Sequence, residues 1–266
     1  MLMVIISVVI VILIIVTIWI WYHPETLLTP LNFLYKSDSS YRTNFYTDEQ
    51  RDIIFPVGLE LEAVWQDIKR EGYELYETLP NKQVNYLDNY HMNIGDETKT
   101  NWTTIPLRLF GTDSYNYINR CPILNNILKS HPEIKSCLFS IMEPGKIIKP
   151  HVGPYDGLIR YQLALDIPLI SYDSISSIGS PNVMDSLLVE ECYLHVGGER
   201  YEWIEGKGVL FDESNLHGAV NTTKEKRMVL LIDIERPYSL LLYRIINKAI
   251  IWGMGSLPAT QQALLI

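Results

Sequence analysis

The stretch Gly206-Lys-Gly-Val-Leu-Phe-Asp-Glu-Ser-Asn-Leu-His-Gly-Ala-Val-Asn (206–221), followed by Arg-Met-Val-Leu-Leu-Ile-Asp-Ile (227–234), decides the fold. It holds two short apolar runs, Gly208 to Phe211 and Met228 to Ile234, with turn residues between them. The same rhythm runs upstream, in Cys-Leu-Phe-Ser-Ile-Met (137–142) and Leu-Ile-Arg-Tyr-Gln-Leu-Ala-Leu (158–165). Pro144-Gly145, Gly153-Pro154 and Gly197-Gly198 punctuate it. Many short strands broken by turn signals at this spacing predict a mainly β protein, a jelly-roll barrel or sandwich.

Candidate chemistry lies in the same stretch. His217 follows the acidic turn Asp212-Glu213-Ser214, and Arg227 stands ten residues beyond it. A second histidine, His151, opens His-Val-Gly-Pro-Tyr (151–155). Imidazole suits ferrous iron, and ligands this far apart in sequence sit on different strands of a barrel-like site. A guanidinium one short strand past the second histidine suits two-pronged, charge-assisted bonding to a dicarboxylate. Iron with a dicarboxylate co-substrate points to 2-oxoglutarate chemistry. Spacing alone leaves the alternative open, because an isolated histidine is usually structural. The carboxylate ligand usual in such sites, two residues after the first histidine, is missing: that position is Gly153. Asp156 would supply a carboxylate if its turn folds back; otherwise water or co-substrate oxygens complete the sphere. His23 and His91 lie in polar connectors and His131 heads a Pro-Glu turn, so these three read as surface or capping residues; His195 alternates outward on Tyr193 to Val196 and reads as structural.

Composition bounds the rest. A chain of 266 residues, 47% hydrophobic and 20% charged, builds one sizeable folded core. A formal charge of −9 without a basic stripe excludes nucleic acid as the expected partner. Cys121, Cys137 and Cys192 share no CxxC spacing and read as buried thiols. Residues 1–22 carry no charge; as a helix they would span roughly 33 Å, with Trp19, Trp21 and Tyr22 as an interfacial belt. Without a basic start or a small-residue cleavage site, the run predicts a retained single-pass membrane anchor. Lys36 and Arg42 after it weakly favour a cytosolic domain. The expected layout is an anchor (1–22), a connector with a helical region (23–100), a jelly roll (101–237) and an amphipathic tail (238–266). Within it, residues 56–76 carry helical periodicity, 171–190 read as a loop insertion, and 240–252 as an amphipathic helix.

Six ordered stretches resemble the aspartyl/asparaginyl β-hydroxylase family of iron and 2-oxoglutarate oxygenases. They are 139–145 (Phe-Ser-Ile-Met-Glu-Pro-Gly), 151–155, 158–165, 197–206 (Gly-Gly-Glu-Arg-Tyr-Glu-Trp-Ile-Glu-Gly), 211–217 and 227–237. The resemblance implies a double-stranded β-helix, in agreement with the jelly roll read from the strands. It implies His151 and His217 as Fe(II) ligands, and Arg227 with Ser140 as the pair holding the distal carboxylate of 2-oxoglutarate. Trp102, Arg160, Tyr161 and Gln162 fall at further co-substrate positions, and Arg160 joins the two histidines as the catalytic set. Gln162 stands where a histidine is common, and its amide carries no charge. The overall layout is similar to membrane-associated lipid A hydroxylases, through the apolar N-terminus and the apolar, basic tail. Gly153 instead matches the eukaryotic protein hydroxylases. Implied is an O2-dependent hydroxylase of an Asp or Asn side chain at the β-carbon. The alternatives are a lipid acyl-chain hydroxylase and a non-catalytic jelly-roll binding module.

Overall fold

A computed structural model of the chain describes residue 32 and residues 42–79, 102–153, 155–169 and 190–265. Among the described residues, ten strands form two antiparallel sheets. The major sheet has the order β2-β1-β3-β10-β5-β8, built from β1 (Trp102–Leu109), β2 (Thr112–Asp113), β3 (Ile134–Met142), β5 (Leu158–Asp166), β8 (Gly208–Phe211) and β10 (Arg227–Glu235). The minor sheet, β4-β9-β6-β7, comprises β4 (Lys146–His151), β6 (Cys192–Val196), β7 (Glu199–Tyr201) and β9 (His217–Asn221). The expected jelly roll is present, and its strands fall on the apolar runs.

The major sheet is covered on both faces, so β1, β3 and β10 are buried along nearly their whole length, and β3 and β10 are mostly apolar. The two-residue period of a strand sorts their side chains into two cores. Phe139, Ile141, Tyr161, Leu163, Leu230 and Ile232 face the helices that cover the outside of the sheet. Leu138, Met142, Ala164, Val229 and Leu231 face the minor sheet, with Leu194, Val196 and Ala219 opposite. By the same parity Ser140, Arg160, Gln162, Arg227 and Asp233 also face inward, between the sheets.

The outer layer is helical. α1 (Asp48–Ile54) begins with a capping box between Thr47 and Gln50. The helix expected over 56–76 forms as two, α2 (Val57–Ala63) and α3 (Trp65–Glu77), broken where Val64 takes φ −119°. α3 lies close on β3: a Cβ on Gly72 would come within 2.7 Å of the Phe139 ring, so only glycine permits this approach. α4 (Pro122–Ser130) starts on proline and is held at its N-terminus by the buried Glu71 carboxylate, which accepts from the backbone N–H of Ile123 at 2.6 Å. β1 carries a register shift between Pro106 and Arg108, where proline has no N–H for the ladder.

Two C-terminal helices, α5 (Leu241–Gly255) and α6 (Pro258–Leu265), close one end of the sandwich. The tail expected to be an amphipathic helix is therefore helical, and it packs through Asn247, Ile251 and Met254. The anchor expected over 1–22, most of the connector, the polar stretch 81–99 and almost all of the 171–190 insertion lie outside the described residues. Among those described, no helix is long and apolar enough to cross a membrane. All three cysteines are buried, free thiols.

Candidate functional site

His151 and His217 are 66 residues apart in sequence and directly opposite in register on β4 and β9. Their ring centroids are 4.3 Å apart. Each ring is set by the same device. Nδ1 of His151 lies 2.8 Å from the carbonyl of Lys149, and Nδ1 of His217 lies 2.9 Å from the carbonyl of Asn215. A carbonyl only accepts, so each Nδ1 carries the proton and each Nε2 keeps its lone pair. Burial, with the nearby His151 and Arg160, pushes the His217 pKa down to about 3. Burial also lowers that of His151. Nε2 of His217 is buried with no hydrogen-bond partner. Two neighbouring neutral imidazoles, each with an Nε2 left uncommitted, are donors a borderline metal ion takes.

Arg227 is the second unusual group. It is fully buried at the start of β10, and burial lowers its pKa to about 10. No aspartate or glutamate among the described residues pairs with it. Its contacts are the carbonyl and hydroxyl of Ser140, at 3.4 and 3.5 Å, and the sulfur of Met142. Its plane lies over the Trp203 ring at 4.6 Å, and its Nε has no partner. Burying a cation without a counter-charge is costly, so this site is built to receive an anion. The surroundings fix the guanidinium in place. Trp102 Nε1 donates to Ser140 Oγ at 3.0 Å, and Trp203 Nε1 donates to Gln162 Oε1 at 3.1 Å.

Between the sheets the sequence-based residues thus form two groups, His151 with His217, and Trp102, Ser140 and Gln162 around Arg227 and Trp203, with two differences from the expected set. Arg160 lies close enough to depress both histidines, yet it is already engaged. It grips Asp233 with two nitrogens, at 2.7 and 3.1 Å, and Glu213 with one at 2.6 Å. Tyr161 does not belong to the site. It is the odd residue between two inward neighbours, so it points to the helix side, edge-on to Phe55 at 5.1 Å. His195 lies on the outer face of the minor sheet opposite Gly218, as its alternation implied.

The missing carboxylate has a physical explanation. Gly153 donates its N–H to the Glu213 carbonyl at 2.8 Å, clamping the first histidine's turn to that of the second. A Cβ on Gly153 would come within 3.0 Å of Glu213 Cγ and Cδ. Glu213 fills the space a side chain at 153 would need. Burial holds its carboxyl up at about 8 against the pull of Arg160. Asp156 does not replace it: its carboxylate pairs with Arg42 at 3.2 Å, and no third acidic, histidine or cysteine ligand joins the histidine pair among the described residues. The buried pair of Asp212 and Arg236, 2.8 Å apart, braces the loop leading to His217. Burial opposes ionisation of Asp212, but Arg236 outweighs it and holds the carboxyl below its usual range.

Sequence reasoning passed over Trp203, Glu213 and Asp233. Trp203 and Glu213 sit within stretches quoted for their resemblance. Asp233 interrupts the run Leu-Leu-Ile-Asp-Ile, and a carboxylate inside an otherwise apolar strand is itself a signal of a buried partner.

Fold and site together define a jelly-roll protein with an inward histidine pair and an anion-ready arginine between its sheets. The chain belongs to the aspartyl/asparaginyl β-hydroxylase family, whose family model matches residues 62–237. It is 34% identical over 140 residues to the ornithine lipid ester-linked acyl 2-hydroxylase of Rhizobium tropici, covering 53% of this chain and 43% of that one. Human aspartyl/asparaginyl beta-hydroxylase is 26% identical over 144 residues, covering 52% of this chain and 16% of that one. The chain thus spans less than half the length of either relative. A Pseudomonas putida prolyl-4-hydroxylase structure aligns with 66% of this chain and 87% of its own at 12% identity, with a TM-score of 0.35.

Proposed function

We propose that the protein is an Fe(II)- and 2-oxoglutarate-dependent dioxygenase that hydroxylates an unactivated C–H bond. One observation carries this reading: two neutral imidazoles present free Nε2 atoms between the same sheets that bury Arg227 without a counter-ion. His151 and His217 would hold the iron through Nε2. Arg227 and the Ser140 hydroxyl would hold the distal carboxylate of 2-oxoglutarate, with Trp203 and Trp102 keeping both in place. Arg160, locked by Asp233 and Glu213, positions the loop of His217 and contributes positive charge near the histidines. The sandwich walls exclude water from the reacting carbon. Iron, O2 and 2-oxoglutarate together supply the oxidising power, with 2-oxoglutarate leaving as succinate and CO2.

The substrate class we favour is a lipid acyl chain, on the likeness to the ornithine lipid hydroxylase and the apolar run of residues 1–22, read as a single-pass anchor. Hydroxylation of an Asp or Asn side chain is the second reading, supported by Gly153 and the 26% identity to the human β-hydroxylase. Purified protein with Fe(II) and labelled 2-oxoglutarate should release succinate, and Arg227→Lys should release far less. Offered lipid extract and Asp- or Asn-containing peptides in parallel, it should add one oxygen atom to the lipid. Oxygen added to the peptide alone would select the second reading. No succinate with either would leave a binding module.

A further inference from the structure

The last thirty residues, 237–266, contain Arg244 and Lys248 and no aspartate or glutamate, in a chain of formal charge −9. They include α5, which buries Asn247, Ile251 and Met254 and turns its other face to solvent. On that outer face Leu241 is 69% exposed, Ile245 57% and Trp252 77%, with Leu242 beside them at 63%. At 100° per residue, positions 241, 245, 248 and 252 fall on one line along the helix, so Lys248 stands within the apolar stripe. Scattered exposed leucines need no explanation, but a continuous stripe of this kind marks an interaction surface.

The occupant is indicated by where α5 sits. The turn at 155–157 seats it: Tyr155 donates its hydroxyl to Asn247 Oδ1, and Asn247 Nδ2 donates to the Gly157 carbonyl at 2.9 Å. The same turn receives the N-terminal connector, since the Asp156 N–H donates to Asn32 Oδ1 at 2.9 Å. Nine residues lie between Tyr22, the end of the uncharged run, and Asn32, so the run ends no more than about 35 Å from this turn even with the connector fully extended. A segment apolar enough to enter a bilayer is thereby tethered within that reach of the turn that seats an exposed apolar and basic helix face. The carboxylates near that face are engaged: Glu235 pairs with Lys135 at 3.0 Å, and Glu133 with His131. Lys248 and Trp252 also line an open cleft of about 770 Å³ with Phe110, Lys135 and these two glutamates.

We propose that the outer face of α5 is a docking surface for an anionic lipid bilayer. Leu241, Leu242, Ile245 and Trp252 sit at the boundary of headgroups and acyl chains, Lys248 meets anionic headgroups, and Arg244, whose guanidinium donates to the carbonyls of Tyr238 and Ser239, adds positive charge beside it. At 15 residues, α5 lies flat and does not span. Docking places the histidine pair near the bilayer. The register that pairs Glu235 with Leu158, and Asp233 with Arg160, puts α5 and the histidine loops at the same end of the sandwich. The exposed apolar Val152 and Leu216 flank the two histidines there. Delivery of an acyl chain to that end rests on the hydroxylase reading; the docking itself does not.

The test uses the full-length chain reconstituted into vesicles of phosphatidylcholine, with and without phosphatidylglycerol. Environment-sensitive labels are placed in separate samples through Ile245→Cys, Trp252→Cys and Lys224→Cys. The native thiols are buried and so compete poorly for label, and Lys224 lies on an exposed turn next to Asn221, at the opposite end of β9 from His217. Labels at 245 and 252 should be quenched by spin-labelled lipid in the anionic vesicles, and the label at 224 should not. Adding Lys248→Gln should weaken docking about fivefold, the weight of one basic side chain at an anionic surface. Labels at 245 and 252 as water-exposed as that at 224 in both vesicle types would overturn the proposal. So would concentration-dependent shielding in detergent without lipid, which would assign the face to a second copy of the chain.

Discussion

The two faces of the major sheet use the same strands for different purposes. On the helix-covered face β3, β5 and β10 present Phe139, Ile141, Tyr161, Leu163, Leu230 and Ile232, which pack tightly and make few polar contacts. One residue along each strand, the inner face presents Ser140, Arg160, Gln162, Arg227 and Asp233. The outer face supplies the packing energy that lets the inner face hold a buried guanidinium without a counter-charge. Stability and chemistry are therefore separated by strand parity. Substitutions on one face should change folding, and those on the other should change ligand binding.

The strongest way to break that separation is at the metal pair. His217→Ala should abolish succinate formation while leaving the thermal midpoint within a few degrees of wild type, checked by calorimetry. Unfolding instead would show that the histidine belongs to the core. On the other face, Phe139→Ala should cost about 3–5 kcal/mol in chemical denaturation, the usual range for a buried aromatic, without changing the residual protein's affinity for 2-oxoglutarate. Arg227→Lys keeps the charge but loses the two-pronged geometry. It should weaken 2-oxoglutarate binding by about ten- to a hundredfold in calorimetry, corresponding to roughly 1.5–3 kcal/mol.

Smaller effects sharpen the boundary. Gly153→Ala forces a methyl against Glu213 and should destabilise by about 1–3 kcal/mol, as overpacking does; pairing it with Glu213→Ala should recover most of that loss. If Gly153→Ala alone is neutral, the interlock of the two histidine turns is not tight. Tyr161→Phe should be the mildest, at about 0.5–1.5 kcal/mol for the lost bond to the Gly58 carbonyl. Its 2-oxoglutarate affinity should be that of wild type; a weakened constant would return Tyr161 to the site.

Much of this arrangement was legible in the sequence. Apolar runs of four to eight residues between glycine and proline turns placed β3, β5, β8 and β10, and matched stretches pointed to both histidines, Ser140 and Arg227. Tyr161 was misplaced because matching a stretch of sequence carries no parity; alternation from Arg160 and Gln162 would have turned it outward. The break at Val64 was invisible because the apolar spacing of α2 and α3 continues through it. Glu213 and Asp233 went unread because their roles depend on partners 53 and 73 residues away, namely Arg160 for each. No local pattern reports a pairing of that range.

The central claim is that His151 and His217 hold iron beside an arginine that holds 2-oxoglutarate. Anaerobic titration of the purified protein with Fe(II), with and without 2-oxoglutarate, tests it most directly. The account predicts one iron per chain, a visible charge-transfer band only when both iron and 2-oxoglutarate are present, loss of iron in His217→Ala, and retained iron but a weakened band in Arg227→Lys. Wild-type protein that takes up no iron, or His217→Ala protein that binds it as tightly as wild type, would contradict it.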